Sequence, residues 1–325
     1  MAYTLADFAQ IAASPLQKAV INTWREESLV MDMLPWTPTD QLKVQFMRTK
    51  SLPAPAFVNL GEDFADAKAT LEPIEETIHK MGAKIDIPVE YLKIKAINDP
   101  RTTQVEAITR SLALGFNDAF INGKPSSSVK ELVGLWHRFI TDLDSAQSVQ
   151  AAGSSGLDVS SDAASLAANQ VTLLEKIDET IDCVEGAAPD VLFMNDTMKR
   201  RLIAALKAAG GLSSTEDAYG RKFPTYGVGG PKIVDIGRKY DQTTRIIGNV
   251  ETVAGTAVTG NACTSIYAVR FGEPFLQGYY LSQIMADHVG LLEMRTMDRT
   301  VIDWTPGIGM VNPRSVARLY AVVAA

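Results

Sequence analysis

This sequence is poor in the groups that carry most enzymatic chemistry. Among 325 residues it has three histidines, His79, His137 and His288, none within helical or loop-ligand spacing of another. A histidine-based metal site would have to be gathered from distant parts of the chain. The two cysteines, Cys183 and Cys263, fit neither a disulfide framework nor a metal knuckle, which leaves two free thiols in a reducing compartment. Long apolar runs are missing too: none approaches the roughly 20 residues that cross a bilayer. Residues 1 to 14 contain no Lys or Arg, and Asp7 and Gln10 interrupt their apolar positions, so no secretory signal is expected. Positive charge is never concentrated. Lys and Arg total 31 against 38 Asp and Glu, a net charge of −7, without the dense basic face of a specific nucleic-acid binder. No repeat at a fixed period is present.

The local signatures of catalysis are absent as well. Gly153-Ser-Ser-Gly156 lacks the strand that a nucleophile elbow needs and reads as a flexible linker. Gly227-Val-Gly-Gly230 runs into Pro231 and a strand, which makes it a turn and not a phosphate cradle. Gly123-Lys124 follows a helix and precedes Pro125, so it is no P-loop. Glu175, Asp178, Asp182 and Glu185 share one side of a helix. Such a row can hold a divalent ion, but a solvated helix face is the commoner use. No catalytic residue, cofactor or metal is expected.

What the sequence does have is 46% hydrophobic residues and clear element signals. Residues 1–36 read as a helical arm, with Thr4 and Asp7 as a capping pair, Ser14-Pro15 opening a second helix, and a narrow stripe of Leu16, Val20 and Trp24. Residues 42–81 read as two extended arms around a polar tip, Asn59 to Lys68. Lys43, Arg48 and Lys50 lie on one arm and Glu72, Glu75 and Glu76 on the other, placed to pair across a hairpin. Such a hairpin is marginal alone in water and needs cover from its own body or a neighbour.

Residues 83–95 continue as strand. Asn98-Asp99-Pro100 then opens the strongest helix in the chain, with Val105, Ile108, Leu112, Phe116 and Phe120 at helical spacing, stopped by Gly123 and Pro125. Its 23 residues give about 35 Å at 1.5 Å per residue. Leu132 to Ile140 is a short apolar segment, Ala151 to Ala164 a mobile surface loop, and Val171, Leu174, Ile177, Ile181 and Val184 the stripe of a second long helix. From Pro189 short strands take over: Val191 to Met194, Lys232 to Ile236, Arg245 to Ile247, Ser265 to Phe271 and Phe275 to Leu281. They enclose one helix capped by Asn195-Asp196 and closed by Gly210-Gly211. The tail is extended, and its apolar end, Val316 to Val323, is expected to be a buried strand.

This order of elements resembles the HK97-fold major capsid proteins of tailed bacteriophages over essentially the whole chain. The carrying segments are Phe223-Pro-Thr-Tyr-Gly227 through Pro231-Lys-Ile-Val-Asp-Ile-Gly237, Asp303-Trp-Thr-Pro-Gly-Ile-Gly309, and Asn312-Pro-Arg-Ser-Val-Ala-Arg318-Leu-Tyr320. The resemblance implies an α+β capsid fold in five parts. These are an N-terminal arm (1–40), an E-loop hairpin (41–82), a peripheral P domain (83–188, spine helix about 99–122), an axial A domain (189–284) and a P-domain return (285–325). It implies hexamers and pentamers of this one chain, closing into an icosahedral head around double-stranded DNA. Assembly would take place in the host cytoplasm, with scaffolding and portal proteins as partners, non-specific contact with packaged DNA and no membrane. The candidates for intersubunit contact are Glu62, Asp63, Asp66 and Lys68 at the tip, with Trp24 and Trp36 on the arm. Some relatives cross-link through an E-loop lysine; no partner can be matched to Lys68, so that chemistry is not carried over. The rival readings are an encapsulin-like compartment, which shares the fold, an α/β metabolic enzyme built on 189–284, and another phage structural protein such as a tail-tube subunit.

Overall fold

The computed structural model describes residues 3–324, apart from 52, 56, 62, 65, 93–99, 127–129, 144, 154, 161–164, 217–219, 257–261 and 292–295. Helices α1 (Leu5–Ile11), α2 (Pro15–Glu27) and α3 (Leu29–Met33) lead through β1 (Trp36–Pro38) into the hairpin of β2 (Lys43–Ser51) and β3 (Thr70–Thr77). Then come β4 (Met81–Pro88), the helical turn α4 (Val89–Leu92), α5 (Pro100–Asn122), α6 (Leu135–Thr141), β5 (Ser148–Gln150), β6 (Leu157–Asp158) and α7 (Leu166–Cys183). Next are β7 (Val191–Met194), α8 (Asp196–Ala209), β8 (Leu212–Glu216), β9 (Lys222–Tyr226), β10 (Lys232–Asp235) and β11 (Cys263–Val269). The chain ends with β12 (Leu276–Tyr280), β13 (Met285–Leu291), β14 (Met297–Trp304), β15 (Pro306–Met310) and β16 (Val316–Val323).

The largest sheet runs β5-β16-β11-β7-β10-β9-β8, with β6 also beside β16. Alternation along β7 explains its full burial. Val191 and Phe193 face one apolar core, while Leu192 and Met194 face a second. A strand covered on both faces has no polar side to show, hence the unbroken run Val-Leu-Phe-Met. The second core is closed by Leu173 and Ile177 of α7 and by Met198, Leu202 and Leu206 of α8. Asn195 caps α8 by accepting from Met198 N at 2.8 Å, and Gly210 ends it in the left-handed region.

A smaller sheet, β13-β14-β4, lies against α2 and α5. Along β14, Asp298, Thr300, Ile302 and Trp304 are buried and the residues between them are not fully so, which is the period of a sheet covered on one face. A third sheet joins β1, β12 and β15. Where these pieces meet, Trp304 has ring centroids 4.5 Å from Trp36, 5.5 Å from Trp24 and 6.2 Å from Phe116. Four elements remote in sequence thus share one aromatic cluster.

Several expectations need correction. The N-terminal segment is not a detached arm: Leu5, Phe8, Val20, Ile21, Trp24, Val30, Met31, Leu34 and Trp36 are all buried in the main core. The chain after Pro88 turns into α4 where strand was expected; the Asn98-Asp99 cap lies outside the described residues. The 151–164 stretch is not simply a loop, because Leu157 and Asp158 pair with Val322 and Val323, and Val159 is buried. On α7 the buried stripe is Leu173, Ile177, Thr180 and Val184, and Val171 faces solvent. Arg245 makes an isolated bridge with Arg238 and starts no strand. The 285–325 return does not stay together either. β13 and β14 join β4, whereas β16 lies between β11 and β5 in the large sheet, as buried as expected but in the sheet built by 191–269. Strands β5 and β6 and helix α7 belong with that sheet as well.

Candidate assembly surface

The hairpin is a two-stranded sheet of its own, in register from Lys43↔Thr77 to Arg48↔Glu72 and Thr49↔Leu71. Its charges meet across the strands as the sequence implied. Lys43 Nζ lies 3.2 Å from Glu75, and Arg48 lies 3.2 Å from Glu72. The hydrogen bond from Lys43, helped by Gln45 Nε2 at 2.6 Å, lowers the Glu75 pKa. These pairs are solvent-screened and set register more than stability.

The base of the hairpin is anchored differently. Arg138 of α6 donates to both carboxylate oxygens of Glu76, one of these bonds at 3.0 Å, and to Ile308 O at 3.3 Å and Val133 O at 3.1 Å. Beside it, Gly307 lets the chain run against Ile78; a Cβ there would sit 2.8 Å from Ile78 Cγ1. Further out the cover thins: Val44, Phe46, Arg48 and Ile74 are still partly buried, with Phe46 beside Gly309. Leu42, Met47 and Leu71 are exposed, and in the loop between the strands Phe57 and Leu60 are fully exposed, with Phe64 at 71%.

Asp63, Asp66 and Lys68 are exposed in the same loop and make no ion pair with any described residue. Glu62 lies outside the described residues. Trp24 and Trp36 lie inside the subunit. At 1% and 0% exposure both are core, with their indole N–H groups donating to Thr109 O at 2.9 Å and Met31 O at 3.1 Å. An indole fits this interior because its one donor has a backbone acceptor in reach.

The sequence reading missed the apolar character of the hairpin loop. Phe57, Leu60 and Phe64 fall at i, i+3 and i+7, a helical spacing, but the described residues around them form no helix, and three large apolar side chains between two extended arms were the available signal. The Arg138–Glu76 pair had no such signal, because its members lie on separate elements.

The other candidate chemistry stays dispersed. Glu175, Asp178, Asp182 and Glu185 are exposed, with Asp178 accepting from Tyr226 Oη at 2.7 Å. Among the described residues no cluster of three or more His, Cys, Asp or Glu is arranged to hold a metal ion, and no helix is long and apolar enough to cross a membrane. Cys183 and Cys263 are unpaired, and burial raises both thiol pKa values. A buried knot of Arg318, Glu251 and Ser265 holds β16 to β11, with Arg318 3.0 Å from Glu251 and 3.1 Å from Ser265.

No family model matches the sequence, and no curated protein matches it. Solved structures do. The SrpI encapsulin of Synechococcus elongatus PCC 7942, solved as its holo complex, aligns over 98% of this chain and 96% of its own with a TM-score of 0.62 at 13% identity. The capsid of a native GTA particle aligns over 96% and 92%, with a TM-score of 0.55 at 13% identity. A structure of Microbacterium phage Oxtober96 aligns over 91% of each chain, with a TM-score of 0.56 at 10% identity. The chain has the HK97-type capsid fold. These matches run over 91% or more of this chain.

Proposed function

We propose that this chain is the structural subunit of a closed icosahedral shell, assembled from hexamers and pentamers of one polypeptide. The observation that carries the reading is the hairpin. A strand pair reaches out from the body and ends in Phe57, Leu60 and Phe64, all largely exposed. Burying such side chains is worth on the order of 1.5–3 kcal/mol each. A subunit that exposes them is incomplete until a second copy covers them. In this reading 43–77 is the E-loop, α5 with the β4-β14-β13 sheet is the peripheral part, and the large sheet is the axial part.

The contents are proposed to be double-stranded DNA, as in a phage head, supported by a net charge of −7 that suits a container holding DNA without gripping it. Scaffolding and portal partners belong to this reading. A second reading, a protein-filled compartment of the encapsulin kind, is favoured by the N-terminal helices. They are built into the core through Trp24 and Trp36 and do not hang free as an arm. Electron microscopy of the purified chain, with a scaffolding partner where one is needed, tests the shell itself: closed particles are expected, and only compact monomers would refute it. Nuclease-protected DNA inside particles isolated from their source supports the phage-head reading, and a co-enclosed protein without DNA supports the second.

A further inference from the structure

Away from the hairpin, the end of α5, helix α6 and the segment 239–251 enclose a cleft of about 590 Å³. That volume lies within the range of small-molecule sites. Its floor is apolar, with Ile121 and Ile246 both buried. Its walls carry three cations. Lys239 lies 3.1 Å from Asp118, and Arg245 lies 2.5 Å from Asp196, so each has one carboxylate already. The third, Lys124, is exposed and pairs with no described residue. Trp136 also lines the cleft, and its indole N–H is buried with no hydrogen-bond partner among the described residues. The carboxylate in the lining, Glu251, is already held by Arg318 and Ser265.

An unpartnered N–H donor and an ammonium that pairs with no described residue, beside two cations already matched by carboxylates and an apolar floor, are complementary to one kind of ligand. We propose that this cleft binds a small amphipathic anion, with the carboxylate or phosphate at Lys124 and Trp136 and the apolar body on Ile121 and Ile246. A buried donor left without an acceptor is costly, and a bound anion satisfies it with a charge-assisted hydrogen bond. Shell formation is not needed for this site, so its test is independent of the shell reading.

Calorimetry on the full chain uses octanoate, octyl phosphate, and octanol as the neutral analogue. One or both anions should bind, octanol at least about tenfold more weakly. Binding of octanoate alone assigns a carboxylate ligand, and of octyl phosphate alone a phosphate ligand. Lys124→Glu should weaken the anion about tenfold or more and Lys124→Arg should keep it. Trp136→Phe, which removes the N–H donor together with part of the ring, should weaken the anion more than it weakens octanol. Lys124 is at the surface, so its variants are expected to keep the wild-type circular dichroism. Failure of both anions to bind, equal binding of octanol, or affinity unchanged in Lys124→Glu would each overturn the proposal.

Discussion

Arg138 grips Glu76 through both carboxylate oxygens at the point where the hairpin leaves the body. At 3% and 7% exposure the pair is effectively out of water. Removing one member of such a pair strands the other charge, at a cost of about 3–5 kcal/mol, while replacing both with apolar residues of similar volume is often neutral. Arg138→Ala should therefore lower stability to urea by about that amount, and Arg138→Met with Glu76→Leu should recover most of it. Equal losses in the single and double variants would show that the pair is not an energetic unit.

Gly278 stands directly against Trp36, whose register partner it is across β1 and β12. A Cβ at 278 would sit 2.6 Å from Trp36 Cζ3, in a core where Trp36 has no exposed surface and is tied to Met31 O. Gly278→Ala is expected to destabilise the chain by about 1–3 kcal/mol through overpacking. Calorimetric melting checks this, and an unchanged transition would mean that the two strands separate more easily than their packing implies.

Asp241 gives a pH dependence with a definite sign. Thr244 Oγ1 donates to it at 2.5 Å, and the Thr244 and Thr243 amides donate at 2.9 and 3.0 Å. With the Thr244 hydroxyl bond the largest cause, these bonds lower its pKa from 3.8 to about 2. The folded value lies below the unfolded one, so the contribution to stability is present above pH 3.8 and is lost as pH falls towards 2. Asp241→Ala should lower the melting temperature at pH 7 and make little difference near pH 2. A carboxyl titration by NMR with its midpoint at the ordinary value would contradict this.

Local signals were legible because they depend on near neighbours. The Thr4–Asp7 capping box, the Ser14-Pro15 start, the α5 stripe from Val105 to Phe120 and the Asn195 cap of α8 are where the sequence puts them. So are the hairpin and its opposed charges. What was not legible depends on distant partners. The stripe of Val20 and Trp24 is narrow for a core helix, yet it is core, because Phe116 and Trp304 complete the cluster around it. Leu157-Asp158 is too short to read as strand and becomes one when β16 supplies the hydrogen bonds. At the candidate surface the acids of the tip were legible by charge. The weight of Phe57, Leu60 and Phe64 was not, since a sequence does not show which apolar residues stay uncovered.

Those three residues carry the central claim, and sedimentation velocity of wild type beside Phe57→Ser/Leu60→Ser/Phe64→Ser tests it most directly. The side chains are largely exposed in their own subunit, so circular dichroism and melting of the variant should match wild type. Wild type should sediment as large closed particles, with a scaffolding partner where one is needed, and the variant should remain in small, slowly sedimenting species. Large particles from the variant in normal yield would show that the tip does not hold subunits together, and a wild type that stays monomeric would contradict the shell reading itself.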